Sequence, residues 1–392
     1  MKTVLCGIGG YGASYYLKEL LDREDSPVQL AGFVDPVPEK SPYFQRIRES
    51  GLPLCSSLED FYGQHTAELA IISSPIQFHC SQTLLALSRG SHVLCEKPLC
   101  GSLDEARQMI EARRRSGLVL AIGYQRSYIE STRRLKADIL DGEWGRPLSA
   151  RMMTLWPRSL EYYGRNAWAG SISDAAGRPV MDSPVNNATA HYLHQMLYLL
   201  GDSMNRSAVP EEVEAQLYRA HDIANYDTAM LRCRTAGGAQ IFFVTSHVGT
   251  HREGPAFEMV FERGRVWCDD MNGEVLAEGP GGLSRNYGPA DEPGIPKILD
   301  TVAAIREGRE SLCGPEAAAS QTLCMLAAQE SGSPVVEIPG ELVREVEDKD
   351  QHWVEVEGFT EILKTAYKQA VLPGPDAAPW IRPARTVPVP RF

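Results

Sequence analysis

The sequence predicts a mixed α/β protein, with a parallel α/β unit first and a second unit built mostly on antiparallel strands. Three observations carry that prediction. Over residues 1–124, short apolar runs alternate with helical stretches, the pattern of right-handed βαβ units on a parallel sheet. From about Ser149 the texture changes to strand-rich runs that follow one another across glycine-bearing turns. A chain of 392 residues is long enough for about two domains, each with its own core.

Thr3-Val4-Leu5-Cys6 reads as the first buried strand and residues 13–21 as the helix that follows it. Between them lies Cys6-Gly7-Ile8-Gly9-Gly10-Tyr11-Gly12, where Gly7, Gly9 and Gly12 take the spacing G-x-G-x-x-G. Gly7 permits a tight turn, Gly9 lets the backbone approach a pyrophosphate, and Gly12 lets the helix pack closely with its N-terminus toward the anion. The second strand, 28–34, ends in Asp35, 23 residues after Gly12, where an acidic residue takes ribose hydroxyls. This is the Rossmann pattern of a dinucleotide site. Asp35 favours NAD over NADP, since its carboxylate repels a 2′-phosphate and the next basic residue is Lys40.

After a helix near 43–50, residues 69–73 form a third strand, 92–95 a fourth and 119–123 a fifth, with helices at 82–89 and 103–116. Ligands sit at the carboxyl ends of such strands. That rule singles out Ser73-Ser74-Pro75 with His79, and Glu96-Lys97-Pro98. A lysine at this edge can hydrogen-bond a substrate hydroxyl and stabilise alkoxide character as hydride leaves carbon.

In the second unit, strands are expected at 150–156, 213–218, 228–234, 240–246, 257–261 and 265–268. A long helix at 187–200 interrupts them, and helices at 295–306 and 315–330 come late. The long helix sets Asn187, His191, His194 and Tyr198 along one face, a polar stripe among apolar positions that is expected to line a cleft. His191 suits proton acceptance near neutrality. Asn187 can orient a ring but takes no proton. Asp182, in the loop before, either supplies a carboxylate or is a turn residue. Arg158, Tyr163, Arg165, Asn166 and Trp168 crowd the loop 156–170. Aromatic faces with polar fans suit a polyol, whose every buried hydroxyl needs a partner; the other reading is a surface loop with incidental aromatics. His247 is a further candidate. The tail 373–392 holds too many prolines for regular helix or central strand, so it is either disordered or extended on a neighbouring surface.

Composition narrows the function classes. A net charge of −12 disfavours nucleic acid and anionic membrane as partners. Nine cysteines stand singly with no C-x-x-C, which suggests neither a zinc ribbon nor a redox pair. The chain enters a strand at once and no apolar run reaches membrane length, so a cytoplasmic, reducing location is expected.

With the glycine loop, Asp35, Ser73-Ser74-Pro75, His79 and Glu96-Lys97-Pro98 together, the chain resembles the glucose-fructose oxidoreductase/inositol dehydrogenase (Gfo/Idh/MocA) family from Lys2 to roughly Pro339. Gly123-Tyr124-Gln125-Arg126, Gly314-Pro315-Glu316, Glu330-Ser331 and 335–339 fit as well. The resemblance implies a Rossmann domain over 1–124. It implies an α+β substrate and oligomerisation domain over 125–392, with a large open, mostly antiparallel sheet and the 315–330 helix returning to the first domain. It places Gly7, Gly9, Gly10, Tyr11, Gly12, Asp35, Ser73, Ser74, Pro75, His79, Glu96, Lys97 and Gln125 at NAD. It makes Lys97 and His191 the catalytic pair. Lys97, Arg126, Arg158, Tyr163, Trp168, Asn187 and His191 become substrate contacts. Many members carry an Asp, a His four residues later and a Gly ten after that; here His191 and Gly201 fit, and Asn187 stands in the Asp place. No metal is assigned, because zinc sites use other spacings than His191, His194 and Asp182 offer. The expected activity is hydride transfer between NAD and a ring hydroxyl or ketone of a sugar, cyclitol or glycoside, in a homo-oligomer. The alternatives are an NAD-dependent glycoside-cleaving enzyme that recycles its cofactor and a non-catalytic NAD-binding sensor.

Overall fold

The computed structural model describes every residue except Glu24, Met271 and Phe392, the last of which ends the proline-rich tail. The chain divides into two compact units, Met1–Tyr128 with Pro293–Ala319, and Ile129–Glu292 with Ser320–Phe392. The sequence reading begins the second unit at residue 125 and returns only the helix 315–330 to the first, whereas the packing gives 293–319 to the first. The helix Pro315–Ser331 is divided between the two.

The first unit is built on six parallel strands: β1 (Lys2–Cys6), β2 (Gln29–Val34), β3 (Leu54–Cys55), β4 (Leu69–Ile72), β5 (His92–Cys95) and β6 (Leu120–Ile122). Their order is β3-β2-β1-β4-β5-β6. Strands covered on both faces read as continuous apolar runs, and β4 (Leu-Ala-Ile-Ile) is buried at all four positions. Leu5, Ile71 and Leu94 pack with Ile298 and Val302 of the helix Pro296–Glu307 in one core. Ile122 N–H donates to the Cys313 carbonyl at 2.8 Å. Those contacts explain why 293–319 belongs here. The edge strand β3 and the helix Leu58–Gln64 were not foreseen: two half-buried residues show no periodicity. The helix Leu103–Ser116 starts as its sequence asks, with Ser102 Oγ accepting from Glu105 N–H at 3.3 Å.

The second unit carries β7 (Pro147–Leu155), β8 (Pro210–Arg219), β9 (Thr228–Thr235), β10 (Gln240–Ser246), β11 (Glu253–Phe261), β12 (Gly264–Cys268), β13 (Glu274–Glu278), β14 (Ser284–Pro289) and β15 (Val336–Glu337). They lie in the order β14-β13-β12-β11-β7-β10-β9-β8-β15. The β7–β10 and β15–β8 pairs are parallel and the others antiparallel, so the sheet is mostly antiparallel as expected. A separate hairpin, β16 (Val343–Asp348) and β17 (Gln351–Val356), was not foreseen, nor was the helix Phe359–Gln369. That helix packs Phe359, Leu363 and Ala366 on Met153, Leu155, Phe242 and Val244. Neighbouring strand positions face opposite ways. Thr245 therefore lies on the other face, where its hydroxyl meets that of Thr189 at 2.9 Å.

The tail is ordered on the chain's own sheet. Gln216 Nε2 donates to the Pro373 and Arg382 carbonyls at 2.9 and 2.8 Å. Trp380 sets its ring edge-on to Tyr218 and Phe359, and Ile381 is buried. A last short strand, β18 (Val387–Pro388), pairs with β8 at Val213. An extended segment with few N–H donors can cover a sheet edge that would otherwise expose unpaired backbone. No described helix is long and apolar enough to cross a membrane.

Candidate active site

The carboxyl ends of β1, β2, β4 and β5 form one edge of the first unit. Gly7 sits at φ 82°, and a Cβ there would lie 2.5 Å from the Ser73 carbonyl oxygen. A Cβ on Gly12 would lie 1.9 Å from Gly7 O, so the first turn of the helix packs on the loop only without a side chain. Gly9 differs. A Cβ there would meet nothing within 4 Å, so glycine leaves an uncovered cradle above the backbone. Asp35 directly follows β2 and accepts from Ile8 N–H at 3.0 Å and Val37 N–H at 2.9 Å, which fixes its carboxylate beside the loop. Ser73 Oγ, just after β4, is a buried hydroxyl with no partner among the described residues. An open glycine backbone, a fixed carboxylate and an unused hydroxyl at one sheet edge fit a dinucleotide.

His79 opens the helix His79–Ser88 and joins two of the loops at this edge. It is 1% exposed, with Nδ1 2.8 Å from the Pro98 carbonyl and Nε2 2.9 Å from the Ser74 carbonyl, and burial lowers its pKa. It braces the two loops that carry Ser74 and Lys97. Ser74 Oγ donates to Gln82 Oε1 at 2.6 Å.

Glu96 is likewise buried. Its Oε1 accepts from Tyr16 OH at 2.6 Å and pairs with Lys297 Nζ, and its Oε2 receives the Lys97 N–H at 3.3 Å. Lys297 is completely buried, with Nζ 4.1, 4.7 and 5.0 Å from the ring centres of Tyr15, Tyr11 and Tyr16. Its ammonium also donates to Tyr11 OH at 3.1 Å, and that hydroxyl donates to Gln125 Oε1 at 3.1 Å. Burial pulls the Lys297 pKa down while the Glu96 charge pulls it back. Burial and the same charge push the Tyr16 phenol well above its usual range. Tyr11, Glu96 and Gln125, three residues expected at the cofactor, are thus linked through a lysine that the sequence reading did not single out. Nothing local marked it, since the helix also carries Asp300, Arg306 and Glu307. Arg126, next to Gln125, is buried, and Lys97 is half-buried.

In the second unit the candidates gather where β7 and β10 end and β9 begins. Trp156 N–H donates to Ser246 O at 2.8 Å and Arg158 N–H to His247 O at 2.9 Å. Tyr163 OH lies 2.7 Å from His247 Nδ1. His221, after β8, is held between Asp227 Oδ2 at 2.8 Å and the Arg158 carbonyl at 3.1 Å. Asp227 also accepts from the N–H groups of Ala220 and His221. Neither His221 nor Asp227 was foreseen, since each is a lone residue in a loop. Asn166 Oδ1 accepts from Trp168 and Ala169 N–H, which shapes the loop and sets Trp168.

The helix expected at 187–200 spans Ala190–Leu199, and 184–189 are turns. Asn187 therefore stands in the turn before the helix. Its Nδ2 donates to Asp182 Oδ1 at 2.7 Å, while Asp182 Oδ2 accepts from Gly170 N–H at 2.6 Å. Asp182, 3% exposed, acts as a loop brace, and its second oxygen is bound to the Asn187 amide. His191 is half-buried. The expected cleft-lining stripe does not continue beyond it. His194 and Tyr198 are fully buried, their rings stacked at 5.7 Å, and Lys136 Nζ sits 3.5 Å from the Tyr198 ring centre. Burial, with help from the Lys136 charge, pushes the His194 pKa down to about 3. The helix Glu130–Leu140 supplies Lys136, so spacing along one helix face did not reveal what that face meets. Among the described residues no group of three or more His, Cys, Asp and Glu is placed to hold a metal ion.

Comparison with known proteins matches residues 1–124 to the GFO/IDH/MocA model described as an oxidoreductase family with an NAD-binding Rossmann fold. Residues 132–267 match the GFO/IDH/MocA C-terminal domain. The 1,5-anhydro-D-fructose reductase of Ensifer adhaerens is 32% identical over 135 residues, 34% of this chain and 39% of that protein. The match thus spans about two-fifths of that relative's length. An inositol 2-dehydrogenase of Mycolicibacterium gilvum (strain PYR-GCK) is 23% identical over 357 residues, 86% of this chain and 93% of that protein. The WlbA dehydrogenase from Bordetella pertussis, crystallised with NADH and UDP-GlcNAcA, shares the fold. Its TM-score is 0.68 at 19% identity, over 85% of this chain and 96% of that one.

Two outcomes follow from the buried charges. Lys297→Met leaves Glu96 buried without its ion partner and should cost about 3–5 kcal/mol of stability in denaturant melts. Glu96→Gln in the same chain should recover much of the loss; equal stability of the single variant and the parent would refute the account. Asn187→Asp sets two carboxylates where the amide now meets Asp182 at 2.7 Å. One carboxyl is then held protonated above its usual range. The folded state binds more protons than the unfolded one in that window, so stability should fall as pH rises through it. The exchange Asp182→Asn with Asn187→Asp should abolish that slope, as read from thermal melts across pH.

Proposed function

The chain belongs to the GFO/IDH/MocA oxidoreductase family, whose first domain is an NAD-binding Rossmann fold; from that premise we propose that it transfers a hydride between NAD and a ring hydroxyl or ketone of a sugar, cyclitol or glycoside. The observation that carries the proposal is Glu96-Lys97-Pro98 directly after β5, on the same sheet edge as the glycine loop and Ser73. The Lys97 backbone is tied by its N–H to Glu96 Oε2, so the ammonium stems from a fixed point. In this reading Lys97 hydrogen-bonds the reacting oxygen and stabilises alkoxide character. His191 accepts the hydroxyl proton, and Asn187, held by Asp182, orients the ring. NAD, when bound, supplies the carbon that takes the hydride. Arg126, Arg158, Tyr163 and Trp168 are the proposed substrate contacts. The names of the relatives, a reductase of an anhydro sugar and a dehydrogenase of inositol, support the substrate class.

Asp35 supports NAD over NADP, since its carboxylate would repel a 2′-phosphate. Titration of both cofactors should give tighter binding of NAD, and the reverse order would overturn this assignment. Lys97→Met should remove NADH formation on a panel of sugars, cyclitols and glycosides while leaving NAD binding largely intact. His191→Ala should slow turnover by roughly 10²–10⁴-fold. Near-normal turnover by Lys97→Met would sink the catalytic roles. Release of an aglycone without net NADH would favour cofactor-recycling cleavage instead.

A further inference from the structure

The second unit pairs the arginines of its sheet with glutamates. Arg151 meets Glu258, Arg232 meets Glu214, Arg234 meets Glu211, and Arg265 meets Glu278. At the end of the sheet the arrangement changes. Arg252, Trp156, Arg158, Tyr162, Arg165 and Trp168 form an alternating series of guanidinium groups and rings. The distances to ring centres are 5.6 Å for Arg252 on Trp156, 5.9 and 4.6 Å for Arg158 on Trp156 and Tyr162, and 3.5 and 5.3 Å for Arg165 on Tyr162 and Trp168. A ring face holds a guanidinium in place without neutralising it. None of the three arginines has a carboxylate partner among the described residues. The acids nearby are committed elsewhere: Glu161 to His352 at 2.8 Å, Asp182 to Gly170 and Asn187, and Asp227 to His221.

Two buried nitrogens at the same place have no hydrogen-bond partner among the described residues. Arg158 Nε is one. The other is Nε2 of His247, a residue 2% exposed. Burial raises the Tyr163 pKa, which keeps the phenol protonated. Its O–H lies 2.7 Å from His247 Nδ1, and donation there places the imidazole proton on Nε2, where an anion can receive it. The backbone of Arg158 is held at both ends, its N–H by the His247 carbonyl and its C=O by His221. A buried donor without an acceptor is costly unless a ligand satisfies it. In a chain of net charge −12, three unneutralised arginines around two such donors form a site for an anion.

We infer that the substrate carries a negatively charged substituent, a carboxylate or a phosphate, received by Arg158 and Arg165 with His247 Nε2–H. This rests on the proposed oxidoreductase reading for the rest of the substrate and adds an acidic sugar or cyclitol as its class. Arg158 is preorganised and takes the anion with its planar fork, and Arg165 closes from the exposed side, with Trp156 and Tyr162 holding the guanidinium groups in place.

The test compares matched probes on the NAD-loaded protein: glucose, glucuronate, glucose 6-phosphate and inorganic phosphate. Each is measured by calorimetric binding and by NADH formation. At least one of the two acidic sugars should bind roughly tenfold or more tightly than glucose, with the preference shrinking at high salt. Arg158→Gln and Arg165→Gln should each reduce the acid-to-neutral ratio, and Arg158→Lys should keep part of it. A ratio near one in binding and turnover, including no binding at all, overturns the inference. So does inorganic phosphate binding as tightly as the acidic sugars. NADH formed equally well from glucose would leave the oxidoreductase reading standing while removing the anionic class. Tight, arginine-dependent binding of an acidic sugar without NADH formation would do the reverse.

Discussion

Burying the Glu96 carboxylate and the Lys297 ammonium together is the constraint on which the first unit turns. Neither charge is tolerable alone in that interior, and each is expensive to desolvate even when paired. The pair is satisfied only if several elements arrive at once. β5 must deliver Glu96, the helix after the glycine loop must bring Tyr16, and the helix Pro296–Glu307 must bring Lys297. Tyr11, inside the glycine loop, and Gln125, after β6, join through one hydroxyl. The same carboxylate holds the backbone of Lys97. The region expected to grip the dinucleotide and the lysine expected to act on substrate thus share one electrostatic anchor.

The second unit buries its acids by another route. Asp182 and Asp227 accept from backbone N–H groups, and also meet the Asn187 amide and the His221 ring. Backbone donors come from fixed loop conformations, so a carboxylate satisfied in this way locks the loops that feed it. Asp182 fixes Gly170 to the turn before the helix. Asp227 fixes the end of β8 to the start of β9. Long irregular stretches are thereby given single conformations at the end of the sheet, where Arg158, Tyr163 and His247 come together.

Arginine is used in two ways in that unit. Along the sheet it meets glutamate at exposed or half-exposed positions, where such pairs contribute little individually and keep strand faces solvated. On the loop it lies on aromatic rings, which immobilise the side chain but leave its charge available. The difference lies in the partners, which sequence order does not supply.

Local pattern was enough for a large part of the architecture. The glycine spacing, Asp35 at the end of β2 and the alternation of strands and helices depend on neighbours within a few residues or on steric rules any chain obeys. The first unit was accordingly readable except for the two-residue β3 and the helix beside it. The strands β7 to β12 were also legible, because a half-buried sheet imposes alternation. What sequence could not decide was which distant residues meet. Lys297 lies 201 positions from Glu96, His221 lies 63 from Arg158, and Lys136 lies 62 from Tyr198. The helix face that seemed to line a cleft is half core, because another helix covers His194 and Tyr198. Asn187, read as a lost carboxylate, is tied to one five residues away. The sequence by itself determined strand, turn and dinucleotide signature, since these follow from short-range sterics and periodicity. Only the tertiary structure decided which charges are buried, which are paired and which remain open to a ligand, since desolvation and pairing depend on everything packed around a group.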